Sequence, residues 1–163
     1  MSDIIVDTNV AVVANRQNSD VVQSCADACV LFLTAAHTQH VVLIDAGDEI
    51  RAEYANALSV SRPYQLGALF LLHIYQNQFN PARVRRIDLP KNVDGSFADF
   101  PSDPALAGFD LSDRKFAALS RNTGTPVTNA TDSDWADSLA ALTAFGISVD
   151  FLCGCDKTKW FIA

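Results

Sequence analysis

The order of apolar segments along this chain of 163 residues constrains its fold more than any other feature. Short runs rich in β-branched residues alternate with longer segments in which apolar residues recur at helical spacing. The predicted strands are at 4–6, 41–44, 83–89, 126–129 and 147–152, and the predicted helices are at 19–36, 48–58, 63–75, 113–121 and 132–145. Such alternation is typical of a parallel sheet covered by helices. We therefore predict an α/β fold, a three-layer α/β/α sandwich with a central parallel sheet, in a single domain at 1–163.

Two segments of this pattern point to surfaces with a special role. The loop at 90–109 is long for a compact domain, and loops of that length are usually functional or mobile. The helix at 65–75 is apolar nearly all round, with Leu72 and Tyr75 outside the arc that faces a core. This surplus apolar face predicts either a homodimer interface or a cover provided by the long loop, which carries Phe97, Phe100 and Phe109.

Composition narrows the functional classes. The formal net charge of −7 argues against a protein that coats nucleic acid by charge alone. No stretch approaches the roughly 20 apolar residues of a membrane span, and the N-terminus carries acids where a signal peptide carries bases. We therefore expect a cytoplasmic protein with reduced thiols and no membrane contact. A zinc site is the alternative use of the four cysteines, Cys25, Cys29, Cys153 and Cys155.

Carboxylates follow the predicted strands or open the predicted helices. Asp7 ends the first strand, Glu53 lies on the helix after the second, and Asp113, Asp132 and Asp134 flank the fourth. Any one of the helix-start acids is explained by helix capping. In a parallel sheet, however, all five can face one edge, where they would repel one another unless a hard cation neutralised them. Oxygen donors of this kind suit Mg²⁺ or Mn²⁺, and such ions catalyse phosphodiester hydrolysis.

Other chemistries lack their sequence signatures. The chain contains no GxGxxG, GxxxxGK[ST], GxSxG or HExxH motif, which argues against nucleotide cradles, serine hydrolysis and zinc proteolysis. A haloacid dehalogenase-like phosphatase would need a second Asp at the position of Asn9. A receiver domain would need an acid pair near the first strand and a Lys after a late strand, and neither is present.

The ordered acids and their surroundings resemble a PIN domain. The resemblance rests on IIVDTNV at 4–10, EIRAEY at 49–54, SDRKFAALS at 112–120 and VTNATDSDW at 127–135, and it extends from about residue 3 to 152. It implies a metal-dependent ribonuclease whose site acids match Asp7, Glu53, Asp113 and Asp132. The three residues between Thr128 and Asp132 make this segment longer than the family pattern, so Asp134 stays an alternative ligand; the loop at 90–109 is also unusually long.

The resemblance and the neighbouring residues extend these expectations to partners. We expect an RNA substrate, and the family implies a toxin of a toxin–antitoxin pair with an antitoxin as partner. A non-catalytic PIN-like scaffold for protein interaction is the alternative. Three polar residues can orient the acids or metal-bound water: Thr8, Asn9 and Thr128. Six basic residues are candidate RNA contacts: Arg51, Arg83, Arg85, Arg86, Arg114 and Lys115.

Overall fold

Five short strands and seven α-helices alternate along the chain. A computed structural model describes residues 1–163. The strands are β1 (Ser2–Val6), β2 (His40–Asp45), β3 (Val84–Ile87), β4 (Val127–Asn129) and β5 (Val149–Phe151). The helices are α1 (Thr8–Ala14), α2 (Gln23–Gln39), α3 (Glu49–Ala57), α4 (Leu66–Asn77), α5 (Arg114–Thr123), α6 (Ser133–Asp137) and α7 (Leu139–Ala144). The strands form one sheet flanked by helices, so the predicted three-layer α/β/α sandwich is confirmed.

The order of strands in the sheet creates a crevice at its centre. All pairings are parallel, and the order β3-β2-β1-β4-β5 places the first strand in the middle. The chain adds β2 and β3 on one side of β1, and later adds β4 and β5 on the other. The strand order therefore reverses between β1 and β4, and ligands of open parallel sheets bind beyond the carboxyl ends of the strands at such a point.

The central strands bury consecutive side chains. Ile5 and Val6 of β1 and Val42, Leu43 and Ile44 of β2 have no exposed surface. Strands covered by helices on both faces bury successive residues instead of alternating ones, which explains the uninterrupted apolar runs in the sequence. These residues belong to one cluster of 33 buried hydrophobic residues that joins the sheet to the surrounding helices.

The helix α1 is absent from the pattern predicted from the sequence. It begins directly after β1, with Asp7 as its N-cap in an extended conformation. The Asp7 Oδ1 accepts a hydrogen bond from the Asn9 backbone N at 3.3 Å. The helix has only seven residues. So short a segment carries too few turns to display helical periodicity. Its presence fixes Asp7 between a buried strand and a buried helix.

Several other helix boundaries differ from the prediction, and the helix predicted at 63–75 spans Leu66–Asn77. The helix predicted from Ser19 begins at Gln23, because Val21 pairs as an isolated antiparallel bridge with Phe161 and the chain there is extended. The helix predicted at 132–145 is broken at Ser138 into α6 and α7.

The long loop packs beside α6. It contains a 3₁₀ turn at Pro104–Leu106, and Leu106 and Phe109 are buried. The Phe109 ring meets the Trp135 ring edge-on with centroids 5.0 Å apart, and Phe100 stacks on Phe109 at 5.7 Å. Phe100 and Phe109 are therefore engaged near the start of α6, and the Phe97 ring lies under the ammonium group of Lys91. Because Leu72 and Tyr75 of α4 stay exposed, the alternative in which the loop covers α4 is wrong.

The outer face of α4 remains uncovered. Leu72 is 49% exposed and Tyr75 is 42% exposed, whereas Phe70 and Ile74 on the other face are fully buried. No helix of this fold combines the length and apolar character needed to cross a membrane. The homodimer interface thus stays a prediction for this face.

Replacing Leu72 by Glu tests that interface. If two copies pair through α4, a buried carboxylate at Leu72 opposes association, and Leu72→Glu converts a dimer to a monomer in sedimentation velocity at micromolar concentration. Leu31→Glu is the matched control, since Leu31 is 72% exposed on α2 and the change should leave the mass unaltered. A wild-type protein that sediments as a monomer contradicts the interface.

A disulfide joins the end of the fold to α2. Cys25 and Cys153 are bonded, while Cys29 is buried and free and Cys155 is exposed and free. The prediction that all four thiols are reduced is therefore wrong for Cys25 and Cys153. Their 128-residue separation hides the pairing from local sequence patterns. The bond also takes two of the four thiolates that a zinc site would use, and it is a bond that persists mainly in oxidising compartments.

Removing this disulfide should weaken the fold measurably. Cys153→Ser is expected to lower the free energy of unfolding by about 2–5 kcal/mol, because the bond restricts a long loop in the unfolded chain. Urea unfolding without reductant measures the change. Cys155→Ser removes an exposed thiol two residues away and should leave the midpoint in place. Equal midpoints for Cys153→Ser and the wild type would show that the bond contributes no stability.

Candidate metal centre

Three aspartates converge at the crevice between β1 and β4. Asp7 follows β1, Asp113 precedes α5, and Asp132 lies between β4 and α6. One carboxylate oxygen from each lies within 4.8 Å of the others. Asp7 and Asp113 are almost completely buried and Asp132 is partly buried. The parallel sheet therefore assembles a compact cluster of acids from three distant segments.

Asp7 is held by several elements. Its Oδ2 accepts a hydrogen bond from the Trp135 Nε1 at 2.7 Å, and its backbone N donates to the Thr128 carbonyl oxygen at 3.0 Å, continuing the β1–β4 pairing. The Tyr54 hydroxyl of α3 donates to the carbonyl oxygen of the preceding residue, Val6, at 2.5 Å. The carboxylate of Asp7 is thus positioned before any ligand binds.

Asp132 is oriented by the buried residue Asn129. The Asp132 backbone N donates to the Asn129 side-chain oxygen at 3.2 Å, and the Asn129 amide donates back to the Asp132 carbonyl oxygen at 3.0 Å. The Asp132 Oδ1 also accepts from the Asp134 backbone N at 3.0 Å, which caps α6. Asp134 supplies this backbone donor, and its own carboxylate lies outside the three-aspartate cluster.

Asn9 links the two segments that carry Asp7 and Asp132. Its side-chain oxygen accepts from the Thr131 backbone N at 2.6 Å, and its amide donates to the Thr131 hydroxyl at 3.1 Å. This link fixes the distance between the β1 and β4 ends of the cluster. Asn9 therefore orients the acids through the backbone of Thr131, a contact that only the fold reveals.

Asp113 has no capping role to account for its burial. It immediately precedes α5, yet its side chain accepts no capping hydrogen bond from that helix. Asp7 and Asp132 do cap helices. Helix capping, which explains single acids at helix starts, therefore does not explain Asp113. A buried carboxyl group without a capping hydrogen bond is costly unless it is protonated or binds a cation.

The electrostatics of the cluster favour added positive charge. Burial, with a smaller contribution from Asp132, raises the pKa of Asp7 to about 7. Burial, together with the charges of Asp7 and Asp132, raises the pKa of Asp113 to about 9. The pKa of Asp132 is also raised, mainly by burial. None of the three forms an ion pair with a lysine or arginine.

Glu53 lies beside this cluster and is occupied by other partners. Its Oε1 accepts a hydrogen bond from the Thr8 hydroxyl at 2.6 Å. Its Oε2 forms an ion pair with the ammonium group of Lys115. The carboxylates of Asp7, Asp113 and Asp132 thus form one group, and Glu53 is outside it.

The predicted RNA-contact residues are spread over the molecule. Arg85 pairs with Asp3 near the start of β1, and Arg83 donates to carbonyl oxygens at the end of α2 before β2 begins. Both therefore lie toward the amino edge of the sheet, opposite Asp7. Arg51 and Arg86 share the carboxylate of Asp48.

A cleft of about 420 Å³ reaches the residue that follows Asp113. Its lining includes Asn92, Phe97, Phe100 and Arg114. The Arg114 guanidinium lies 4.7 Å from the centre of the Phe100 ring and donates to the Phe109 carbonyl oxygen. Aromatic rings and guanidinium groups are groups that bind nucleotide bases and phosphates.

Comparisons with protein-family models, with curated proteins and with solved structures find no match for this chain. The chemistry of the cluster is thus the basis for inferring a function. Its donors are exclusively carboxylate oxygens, which fit Mg²⁺ or Mn²⁺ and fit soft metals poorly. The three aspartates are held by backbone and side-chain contacts and are not neutralised by any basic residue, so the donor set suits a hard divalent cation.

Proposed function

We propose that this protein is a metal-dependent ribonuclease of the PIN-like kind. The observation that carries the proposal is the buried, unpaired cluster of Asp7, Asp113 and Asp132 at the point where the strand order reverses. Asp7, Asp113 and Asp132 would hold Mg²⁺ or Mn²⁺. Such an ion, when bound, polarises a phosphodiester and lowers the pKa of the attacking water.

The protein residues supply position and charge. The indole of Trp135 and the backbone N of Asn9 fix the two oxygens of Asp7, and Asn129 fixes the segment of Asp132. Asp113 retains a proton at neutral pH without a cation, because its pKa is raised to about 9, and it releases that proton when a cation binds. Preorganisation by these contacts keeps the carboxylates in place for a reaction at one edge of the sheet.

The choice of RNA as substrate is supported by the cleft and by the PIN-like motifs. Phe97, Phe100 and Arg114 line this cleft, and aromatic rings and guanidinium groups are common in sites that bind RNA. A toxin role with an antitoxin partner, and a cytoplasmic location, follow from the resemblance and composition alone. The disulfide between Cys25 and Cys153 weighs against the cytoplasmic location, and counting free thiols in protein taken directly from cells tests it.

Cleavage of single-stranded RNA by the purified protein tests the function. We expect a fluorescently labelled oligoribonucleotide to be cut in the presence of Mn²⁺ or Mg²⁺ and to remain intact with excess EDTA. A matching oligodeoxyribonucleotide reports selectivity for RNA. Calorimetry with Mn²⁺ in the same buffer shows whether the ion binds. Binding of the ion without cleavage of any nucleic acid would support the non-catalytic scaffold instead.

A further inference from the structure

A buried lysine stands next to the acidic cluster. Lys115 lies on α5, two residues after Asp113, and is only 7% exposed. Its ammonium group donates to the Ser112 carbonyl oxygen and forms an ion pair with the Glu53 Oε2. Lysines are seldom buried unless they are paired, so this one has a defined partner rather than a solvated end.

Glu53 is satisfied by that lysine and by one hydroxyl. Its two oxygens are taken by the Lys115 ammonium and by the Thr8 hydroxyl. Glu53 is nevertheless close enough for its charge to act on the carboxyl group of Asp7. The site therefore contains four acids near one another, of which three lack a cation and the fourth already has one.

This division bears on the number of ions that the site can bind. A centre with two divalent ions needs carboxylates on both sides of a shared ligand, with the ions about 3.5–4 Å apart. Glu53 is an acid beyond the three aspartates that could bind a second ion, and the fixed ammonium group both occupies its Oε2 and repels a second cation. Lys115 thus neutralises the charge of Glu53, as a metal ion would neutralise the charges of the aspartates.

We propose that Lys115 is a built-in cation that occupies Glu53 and limits the centre to a single divalent ion on Asp7, Asp113 and Asp132. The inference rests on the proposed metal centre and assigns its stoichiometry. It makes Lys115 a positioning residue rather than an RNA contact, and it makes Glu53 a partner of Lys115 rather than a metal ligand.

Counting bound Mn²⁺ by electron paramagnetic resonance tests the inference without any activity assay. The metal-free protein is titrated with Mn²⁺ alone, and the signal of free Mn²⁺ gives the number of ions bound per chain. We expect one ion for the wild type and two for Lys115→Met, in which Glu53 is released. The double variant Lys115→Met/Glu53→Gln should return to one, because it removes both charges together.

Two further measures keep the result interpretable. Lys157→Met is the matched control, since Lys157 forms an ion pair with the exposed Asp137, and it should bind one ion. Circular dichroism checks that each variant is folded. If Lys115→Met does not fold, the double variant leaves no buried charge unpaired and tests the assignment of Glu53: retention of one ion supports its exclusion from the metal centre, and loss of the ion overturns the inference.

The remaining outcomes separate this inference from the proposed function. Two ions on the wild type, or a single ion on folded Lys115→Met, overturns the role of Lys115 and leaves the metal centre standing. No ion on the wild type overturns the metal centre and the role of Lys115 with it.

Discussion

Asp113→Asn is expected to lower metal-dependent RNA cleavage by at least about 100-fold, since even residues that only support metal ligands typically contribute 10–100-fold. The same change should raise the melting temperature of the metal-free protein at pH 8. The wild-type carboxyl group must take up a proton there that the unfolded chain does not hold, because its pKa is raised to about 9. An asparagine amide is neutral without that proton.

Asp134→Asn is the matched control for this prediction. Asp134 lies two residues from Asp132, carries the same chemical group and is outside the cluster of three carboxylates. Its substitution should leave cleavage within a few-fold of the wild type, while Asp7→Asn should behave like Asp113→Asn in the cleavage assay. Initial rates on labelled RNA and thermal melts in EDTA provide both readouts. Undiminished cleavage by Asp113→Asn would remove the cluster from the catalytic site.

The metal-free protein is expected to lose stability steeply as the pH rises from 5 to 7. Unfolded aspartates ionise near pH 4, whereas the pKa of Asp7 is raised to about 7 and that of Asp113 to about 9 in the folded protein. Between pH 4 and 7 the folded protein thus holds two protons that the unfolded chain has released. Stability then falls by up to about 1.4 kcal/mol for each group and pH unit.

The stability of the metal-free protein should continue to fall above pH 7 at a lower slope, because only Asp113 still holds its extra proton. It should level off above pH 9. For a chain of this size, a loss of 1 kcal/mol lowers the melting temperature by about 2–4 °C. We therefore expect a decrease on the order of 10 °C between pH 5 and 7 in EDTA. Saturating Mn²⁺ should restore the melting temperature at pH 8, since it binds the ionised cluster of the folded state.

Variants separate this effect from the titration of other groups. Asp113→Asn should flatten the dependence of the melting temperature on pH, most clearly between pH 7 and 9. Asp134→Asn should keep the wild-type slope. A metal-free melting temperature that is constant or rises from pH 5 to 8 would contradict the raised pKa values of Asp7 and Asp113. It would also contradict the burial and mutual repulsion of the carboxylates that cause them.

The sequence determined the scaffold because the signals for it are local. Consecutive apolar residues, as in Val42–Ile44, predict a strand buried on both faces, and the helical segments between such strands require parallel connections. Asp7 directly follows the buried apolar residues of β1, so the sequence alone places it at the carboxyl end of that strand. From parallel geometry alone, the acids that follow the strands were then expected at one edge.

Tertiary structure alone decided which of these acids share a cluster and which have other partners. The pairing of Glu53 with Lys115 joins residues on α3 and α5, and the hydrogen bond from Trp135 to Asp7 spans 128 residues. Arg83, just before β3, and Arg85, near its start, reach toward the opposite edge, and Cys25 reaches Cys153 only in the assembled fold. Strand and helix patterns depend on spacing within a few residues, whereas these contacts depend on where side chains from distant segments meet. The sequence therefore determined the edge of the sheet that carries the acids, and the packing of α3, α5 and α6 against it determined which of them are left without a cation.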